Sequence, residues 1–319
     1  GRGTDWNRLD TEGHFELSDG TLNGIKLLPT SINYTLRNEQ LTVNANIDKI
    51  RAEINGRLGL TDKTDLKINV TSIDLKRLAE FTSPALEQPP APFGKGEIAG
   101  MGALQARITG ELTKPKVLAN LTIQDIAMNG TRLGNATGQF LYAENHVQID
   151  ELQLRNVDTQ CVVRGRITLS ENPTVDLKVT LNPLQISEYT TLLMGASSKS
   201  GTTPINLQGR VLGEIEVSGP VTALNGGGEF ITQEMLCLLR SSQLTDASGS
   251  RQPFSVPLEM TIPLKLKNGI LQIPKLTLKT TGGEFNVSAV YNPDGKYEFQ
   301  LNSEDLDLVS ILDVFGIGQ

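Results

Sequence analysis

The chain has 319 residues, 38% of them hydrophobic, 20% charged and only 5% aromatic, with a formal net charge of −7. Thirty-one Gly and fifteen Pro are ordinary usage, which excludes a collagen-like or low-complexity chain. Two Cys exclude a disulfide framework and a four-cysteine zinc site, two His leave little for metal or acid–base chemistry, and the acidic balance argues against a phosphate-reading face.

In chain order, the first clear signal is alternation. Leu41, Val43, Ala45 and Ile47 are separated by polar residues, and Leu66, Ile68 and Val70 repeat the pattern. Period two predicts strands with one apolar and one wet face. Leu75, Leu78 and Phe81 then have helical spacing, and a breaker follows from Ser83-Pro84 through Gln88-Pro89-Pro90-Ala91-Pro92. Further strands are predicted near 104–109, 117–124, 138–143, 146–154, 160–169 and 174–182. Turn residues such as Asn129-Gly130, Glu144-Asn145 and Glu171-Asn172-Pro173 separate them. Connections this short favour antiparallel neighbours.

A second helical spacing, Ile186, Tyr189, Leu192 and Leu193, precedes a second breaker, Gly195 to Pro204. Both breakers read as crossover loops carrying the chain from one side of the sheet to the other. Gly226-Gly227-Gly228 lacks the Lys-Ser/Thr of a phosphate loop and reads as a bulge or close backbone approach. Glu234-Met235-Leu236-Cys237-Leu238-Leu239-Arg240 reads as a short packed helix, or as a mobile element over the apolar face. The spacing of Leu308, Val309, Ile311 and Leu312 predicts a last short helix.

These elements repeat with a period of about 110 residues. Asp65-Leu66-Lys67-Ile68-Asn69-Val70 returns as Asp176-Leu177-Lys178-Val179-Thr180-Leu181, and in weaker form as Tyr297-Glu298-Phe299-Gln300-Leu301. Gly56-Arg57 returns as Gly165-Arg166, and Thr109-Gly110 as Ser218-Gly219, each 109 residues later. Three units follow: 1–99 with the Pro-rich crossover, 100–205 with the Gly/Ser-rich crossover, and 206–319 with an insertion near 233–255. Each is a meander of five or six strands within one continuous elongated sheet.

So many one-sided strands and almost no helix to cover them leave two architectures. In one, two walls meet in a dry core. In the other, the sheet curls into a trough whose walls stay apart. Leu, Ile and Val dominate the inward positions, with small residues such as Ala119 and Gly228 between them.

Short motifs decide little else. His14 and His146 sit in polar contexts, and Cys161 and Cys237 read as two free thiols. Glu304, Asp305 and Asp307 read as solvated turn residues. Six Asn-x-Ser/Thr triplets, at Asn33, Asn69, Asn120, Asn129, Asn135 and Asn286, fall partly on predicted strands, which favours a bacterial over a eukaryotic secreted protein. No uncharged apolar run approaches the ~18 residues of a spanning helix. The chain opens on Gly without a signal peptide and reads as an excised or processed segment.

A repeated meander with a short helix and crossover loop resembles the repeating β-groove of bridge-like lipid-transfer proteins, whose bacterial members are the AsmA-like and TamB families. Ile108-Thr109-Gly110-Glu111-Leu112, Pro115-Lys116-Val117 and Leu121-Thr122-Ile123 resemble their recurrent strand pairs. Leu266-Lys267-Asn268-Gly269-Ile270 with Lys275-Leu276-Thr277-Leu278 resembles a strand–turn–strand phrase near AsmA-type C-termini. The resemblance implies an all-β fold with short helices: an elongated, curled, mainly antiparallel sheet, a β-taco, with a lengthwise apolar trough. It also implies a non-enzymatic periplasmic segment of an inner-membrane-anchored protein. That segment would carry phospholipid or another acyl lipid between inner and outer membranes. No cofactor, metal or nucleic acid is implied. The alternative is an interaction module that helps assemble outer-membrane β-barrel proteins through strand edges. Eighteen strands would span on the order of 85 Å.

The expected trough lining is Leu66, Ile68, Val70, Leu121, Ile123, Phe140, Tyr142, Val147, Ile149, Leu152, Leu154, Val163, Ile167, Leu169, Val175, Leu177, Val179, Leu181, Tyr297, Phe299 and Leu301. A one-residue slip at a bulge would flip a whole strand to the other face.

Overall fold

The structure, a computed structural model, describes residues 9–18, 20–22, 25–59, 63–77, 97–157, 159–187, 205–239, 254–258, 260–280, 283–292 and 297–304. The strands are β1 (Asp10–Leu17), β2 (Gly20–Leu22), β3 (Ile25–Leu27), β4 (Thr30–Arg37), β5 (Gln40–Ile47), β6 (Ile50–Arg57) and β7 (Thr64–Asp74). Then come β8 (Ile98–Glu111), β9 (Lys114–Met128), β10 (Thr131–Ala143), β11 (His146–Arg155), β12 (Gln160–Thr168), β13 (Thr174–Gln185) and β14 (Ile205–Pro220). The last are β15 (Asn225–Leu239), β16 (Phe254–Leu258), β17 (Thr261–Lys267), β18 (Ile270–Thr280), β19 (Gly283–Tyr291) and β20 (Tyr297–Glu304).

All but the small β2–β3 hairpin belong to one 18-stranded sheet. It is antiparallel and follows the chain: β1 lies beside β4, and each later strand beside its predecessor. β16 and β17 share one place, pairing with the second and first halves of β15. Buried Thr232 pins the junction by accepting a hydrogen bond from the Met260 N–H at 2.8 Å. Among the described residues no ladder joins β1 or β20 to a third strand, so the sheet is open at both edges.

Two-residue turns explain much of this order. Asn38-Glu39 and Glu144-Asn145 have positive φ at both residues, the geometry whose twist matches paired strands. Every connection longer than six residues leaves from the same rim of the sheet, before β4, β8, β14 and β16. The strands flanking the two longest of these are direct neighbours: Asp74 pairs with Met101, and Gln185 with Arg210. The chain therefore leaves and re-enters between adjacent strands. It does not cross to another place in the sheet, as the two breakers predict; residues 78–96 and 188–204 themselves lie outside the described residues.

Two expected helices begin as helical turns at 75–77 and 186–187; their remainders and the one at 308–312 lie outside the described residues. The run from Glu234 to Leu239 is not a helix. It is the second half of β15, paired with β14 and β16. Its alternating Met235, Cys237 and Leu239 suit a strand, and Glu234 at φ 51 breaks the helical geometry that the run would need.

One irregularity recurs across the sheet. A single extra residue interrupts the pairing in β7 between Val70 and Ile73, in β11 between Ile149 and Leu152, in β13 between Leu181 and Leu184, and in β18 between Ile273 and Leu276. β9 and β15 carry theirs near Asp125 and Glu234, both at positive φ and 109 residues apart. These six strands run towards the rim with the long connections; β10, which runs the other way, has one extra residue, Leu133, against β9. A bulge bends its strand and increases local twist, so bulges repeated on one strand direction curl the sheet. Ile126, Ile149, Val211, Met235 and Val287 are each less than 9% exposed and lie beside bulges. The core thus follows the crease.

Candidate functional site: an apolar trough

Residues directly opposite in an antiparallel ladder point to the same face. Registers can therefore be followed from strand to strand. One row runs Gly13, Tyr34, Val43, Ile54, Ile68, Ala106, Ala119, Phe140, Ile149, Gly165, Leu177, Val217, Gly226, Leu266, Leu271, Tyr291 and Tyr297. It takes one residue from every place in the sheet, and none is charged.

Parallel rows flank it. Leu104, Leu121, Gly138, Leu152, Val163, Val179, Ile215, Gly228 and Leu264 form one. Leu66, Ile108, Val117, Tyr142, Val147, Ile167 and Val175 form another, and Ile123, Ala136, Leu154, Cys161 and Leu181 a third.

The bulge in β11 is what keeps the face uniform. Val147 and Ile149 pair with Tyr142 and Phe140, while Leu152 and Leu154 pair with Gly138 and Ala136. Ile149 and Leu152 are three residues apart, so the same sequence paired in simple alternation without the bulge would point Leu152 and Leu154 outward. The opposite face carries ion pairs: Arg107 with Asp65 at 2.6 Å, Lys178 with Glu214 at 2.8 Å, and Arg164 with Glu151. Exposed pairs of this kind set which face is wet more than they stabilise the sheet.

Among the described residues no second layer covers the apolar face. The chain exposes 21091 Å², whereas a compact 34.6 kDa globule would expose roughly 13,000 Å². Away from the crease the row residues of β5 to β13 are half-buried except Leu66 and Gly138, which are buried, and Phe15 and Tyr34 at the β1 end are 52% and 38% exposed.

Of the expected lining residues, those of β7, β9, β10, β11, β12 and β13 fall into these rows. Tyr297, Phe299 and Leu301 take places opposite Tyr291, Ala289 and Val287. Leu169 does not join the ladder. It lies beyond the end of β12 at the rim, 46% exposed, where its N–H donates to the Asn145 carbonyl. The expected lining leaves out the β1–β6 wall, although Leu41, Val43, Ala45 and Ile47 of β5 alternate, and it leaves out the glycines. Gly138, Gly165 and Gly226 carry no hydrophobic signal of their own, and only their cross-strand partners reveal the face.

Other chemistry is sparse. His14 Nδ1 lies 2.7 Å from the Asn33 amide oxygen and His146 Nδ1 2.6 Å from the Glu144 carbonyl. Among the described residues no cluster of His, Cys, Asp and Glu is arranged to hold a metal. Cys161 is a free thiol on the trough face, and burial pushes its pKa up. β12 and β15 are three ladder steps apart, ~14 Å, which places Cys161 beyond disulfide reach of Cys237. No helix among the described residues is long and apolar enough to cross a membrane. Comparison with protein-family models, curated proteins and solved structures found no match for the chain.

Proposed function

We propose that the trough is a conduit for acyl lipid: the chain is a segment of a bridge-like protein that passes phospholipid or another lipid between inner and outer membranes in the bacterial periplasm. The observation that supports this reading is the uncharged row through every place of the open sheet. The resemblance to AsmA-like and TamB proteins supplies the two membranes and the periplasm.

Each buried CH₂ gains ~0.8 kcal/mol, so a sixteen-carbon chain lying in the trough gains at most about 13 kcal/mol. Neighbouring places lined by Leu, Ile, Val and Ala offer nearly equal energies, so a chain can slide without meeting a deep trap. Its polar head stays in water along the open side. Successive strands lie ~4.8 Å apart, which gives the track a length of roughly 80 Å. Nothing in the process requires a proton donor or nucleophile.

Native mass spectrometry of the purified protein is the test, with bound phospholipid as the expected result. Val179→Glu places a carboxylate in the middle of a row. It should abolish loading while circular dichroism stays unchanged, because the solvent-open trough hydrates the new charge. With Cys237 replaced by Ser, bound lipid should also slow alkylation of Cys161. Equal loading of parent and Val179→Glu protein, or no lipid in either, overturns the reading.

A further inference from the structure

The wet face carries an ordered row of its own. Cross-strand partners from β4 to β10 run Asn33, Asn44, Glu53, Asn69, Gln105, Asn120 and Gln139. Six of these seven side chains are carboxamides, none is apolar or cationic, and all are exposed. Asn33 lies 2.7 Å from His14 Nδ1. The carboxamides of Asn44, Asn69, Gln105, Asn120 and Gln139 bond to no other described residue. Each therefore presents a free acceptor oxygen and two free N–H donors, all held in register by the ladder.

Three shallow hollows lie along this row. One of about 470 Å³ takes in Asn33 and Asn44, one of about 370 Å³ takes in Asn69, Gln105 and Asn120, and one of about 460 Å³ takes in Asn120 and Gln139. Beyond β10 the row changes character. Glu151 pairs with Arg164, and Lys178 lies 3.6 Å from Glu216. The carboxamide stretch thus offers hydrogen bonds without a cation of its own to attract phosphate. Arg107, in the adjacent row, is already held by Asp65.

Two spacings match one kind of occupant. Successive places in the row are ~4.8 Å apart, close to the rise of one sugar in an extended β-1,4-linked glycan. Side chains lean along their strand, and strand direction reverses at each step, so equivalent carboxamides recur at every second place. A β-1,4-linked chain turns over at each sugar, so its acetamido groups recur on one edge at every second sugar. We propose that this row binds an extended, uncharged chain of β-1,4-linked N-acetylhexosamines. The glycan crosses the strands on the face away from the trough, and its acetamido and hydroxyl groups exchange hydrogen bonds with the carboxamides. The inference does not depend on what the trough carries.

The test is isothermal titration calorimetry of the whole chain with the N-acetylglucosamine hexamer, which covers about six strands. The hexamer should bind at least about tenfold more tightly than cellohexaose, which has the same linkage without acetamido groups. It should also bind at least about tenfold more tightly than the N-acetylglucosamine dimer, which reaches about two strands. Asn69→Thr/Asn120→Thr removes two carboxamides at exposed strand positions that suit Thr. That double variant should keep its melting temperature and lose at least about tenfold in hexamer affinity. Lys178→Thr, in the charged continuation of the row, should leave the affinity unchanged. The comparison of sugars needs no variant and decides the matter if the double variant fails to fold. Absence of hexamer binding, equal binding of cellohexaose or the dimer, an unaltered affinity in the double variant, or an equal loss in Lys178→Thr overturns the proposal.

Discussion

The sheet contains two kinds of wall. β1, β4, β5 and β6 are eight-residue strands paired without interruption, while β8 to β15 run to 16 residues and carry a bulge on every second strand. The short strands keep perfect alternation and present a flat, part-exposed face. A long regular strand would carry its twist and alternation straight through the bend. Inserting one residue lets the long strands bend while the side chains beyond the bend return to the same face. Length and curvature are therefore linked, and the bulge is the link.

Removing one such residue should have the largest effect. Deleting Asp150 from β11 leaves Ile149, Leu152 and Leu154 in even alternation on the trough face but removes the bend that the neighbouring strands keep, and the mismatch across the crease should cost about 3 kcal/mol or more in urea unfolding. A single glycine comes next, and it should act alike in both walls. Gly56 and Gly165 lie 109 residues apart, with φ of 142 and 140, and a Cβ on either would overlap the Asp65 or Asp176 carbonyl oxygen. Gly56→Val and Gly165→Val should each cost about 3 kcal/mol, measured the same way. Unequal costs would mean that the two walls bend differently at these positions.

Side-chain truncation should separate buried from exposed places on the apolar face. Leu66, 6% exposed, should lose about 2–3 kcal/mol on Leu66→Ala, whereas Phe15→Ala, from a residue 52% exposed, should lose under about 1 kcal/mol. The smallest effect belongs to the wet face. Arg107 donates two hydrogen bonds to Asp65 and holds its carboxyl below the ordinary 3.8. That contribution is complete above the ordinary value and is lost as pH falls through the lowered one. Arg107→Gln should raise the Asp65 midpoint in a carboxyl NMR titration and leave the melting temperature at neutral pH nearly unchanged.

Much of this was legible in the sequence because period two survives in almost every strand. Val175, Leu177, Val179 and Leu181 announce their face without any partner. The bulges were legible too, but in a different sign. Ile149 to Leu152, Leu181 to Leu184 and Ile273 to Leu276 are steps of three in an otherwise even pattern, and Pro183 and Pro274 sit inside two of them, where proline is tolerated. Local hydrophobic density misleads by contrast: the run from Met235 to Leu239 is compact enough to pass for a helix, and only its pairing with β14 and β16 settles its form. In the β1–β6 wall only β5 was plain, from Leu41, Val43, Ala45 and Ile47; β1 and β6 were harder to see because Gly13 and Ala52 contribute to the face through their position rather than through their hydrophobicity.

Among the described residues, each strand packs almost wholly against the strands beside it in the sheet, and no second layer ties distant strands together. Such a molecule behaves as a linear array: stability is a sum over adjacent joints, and folding can start at any hairpin and spread outward. A faulty joint in the middle would divide the array into two blocks that each retain their own order, whereas the same fault in a globular core would bring down the whole.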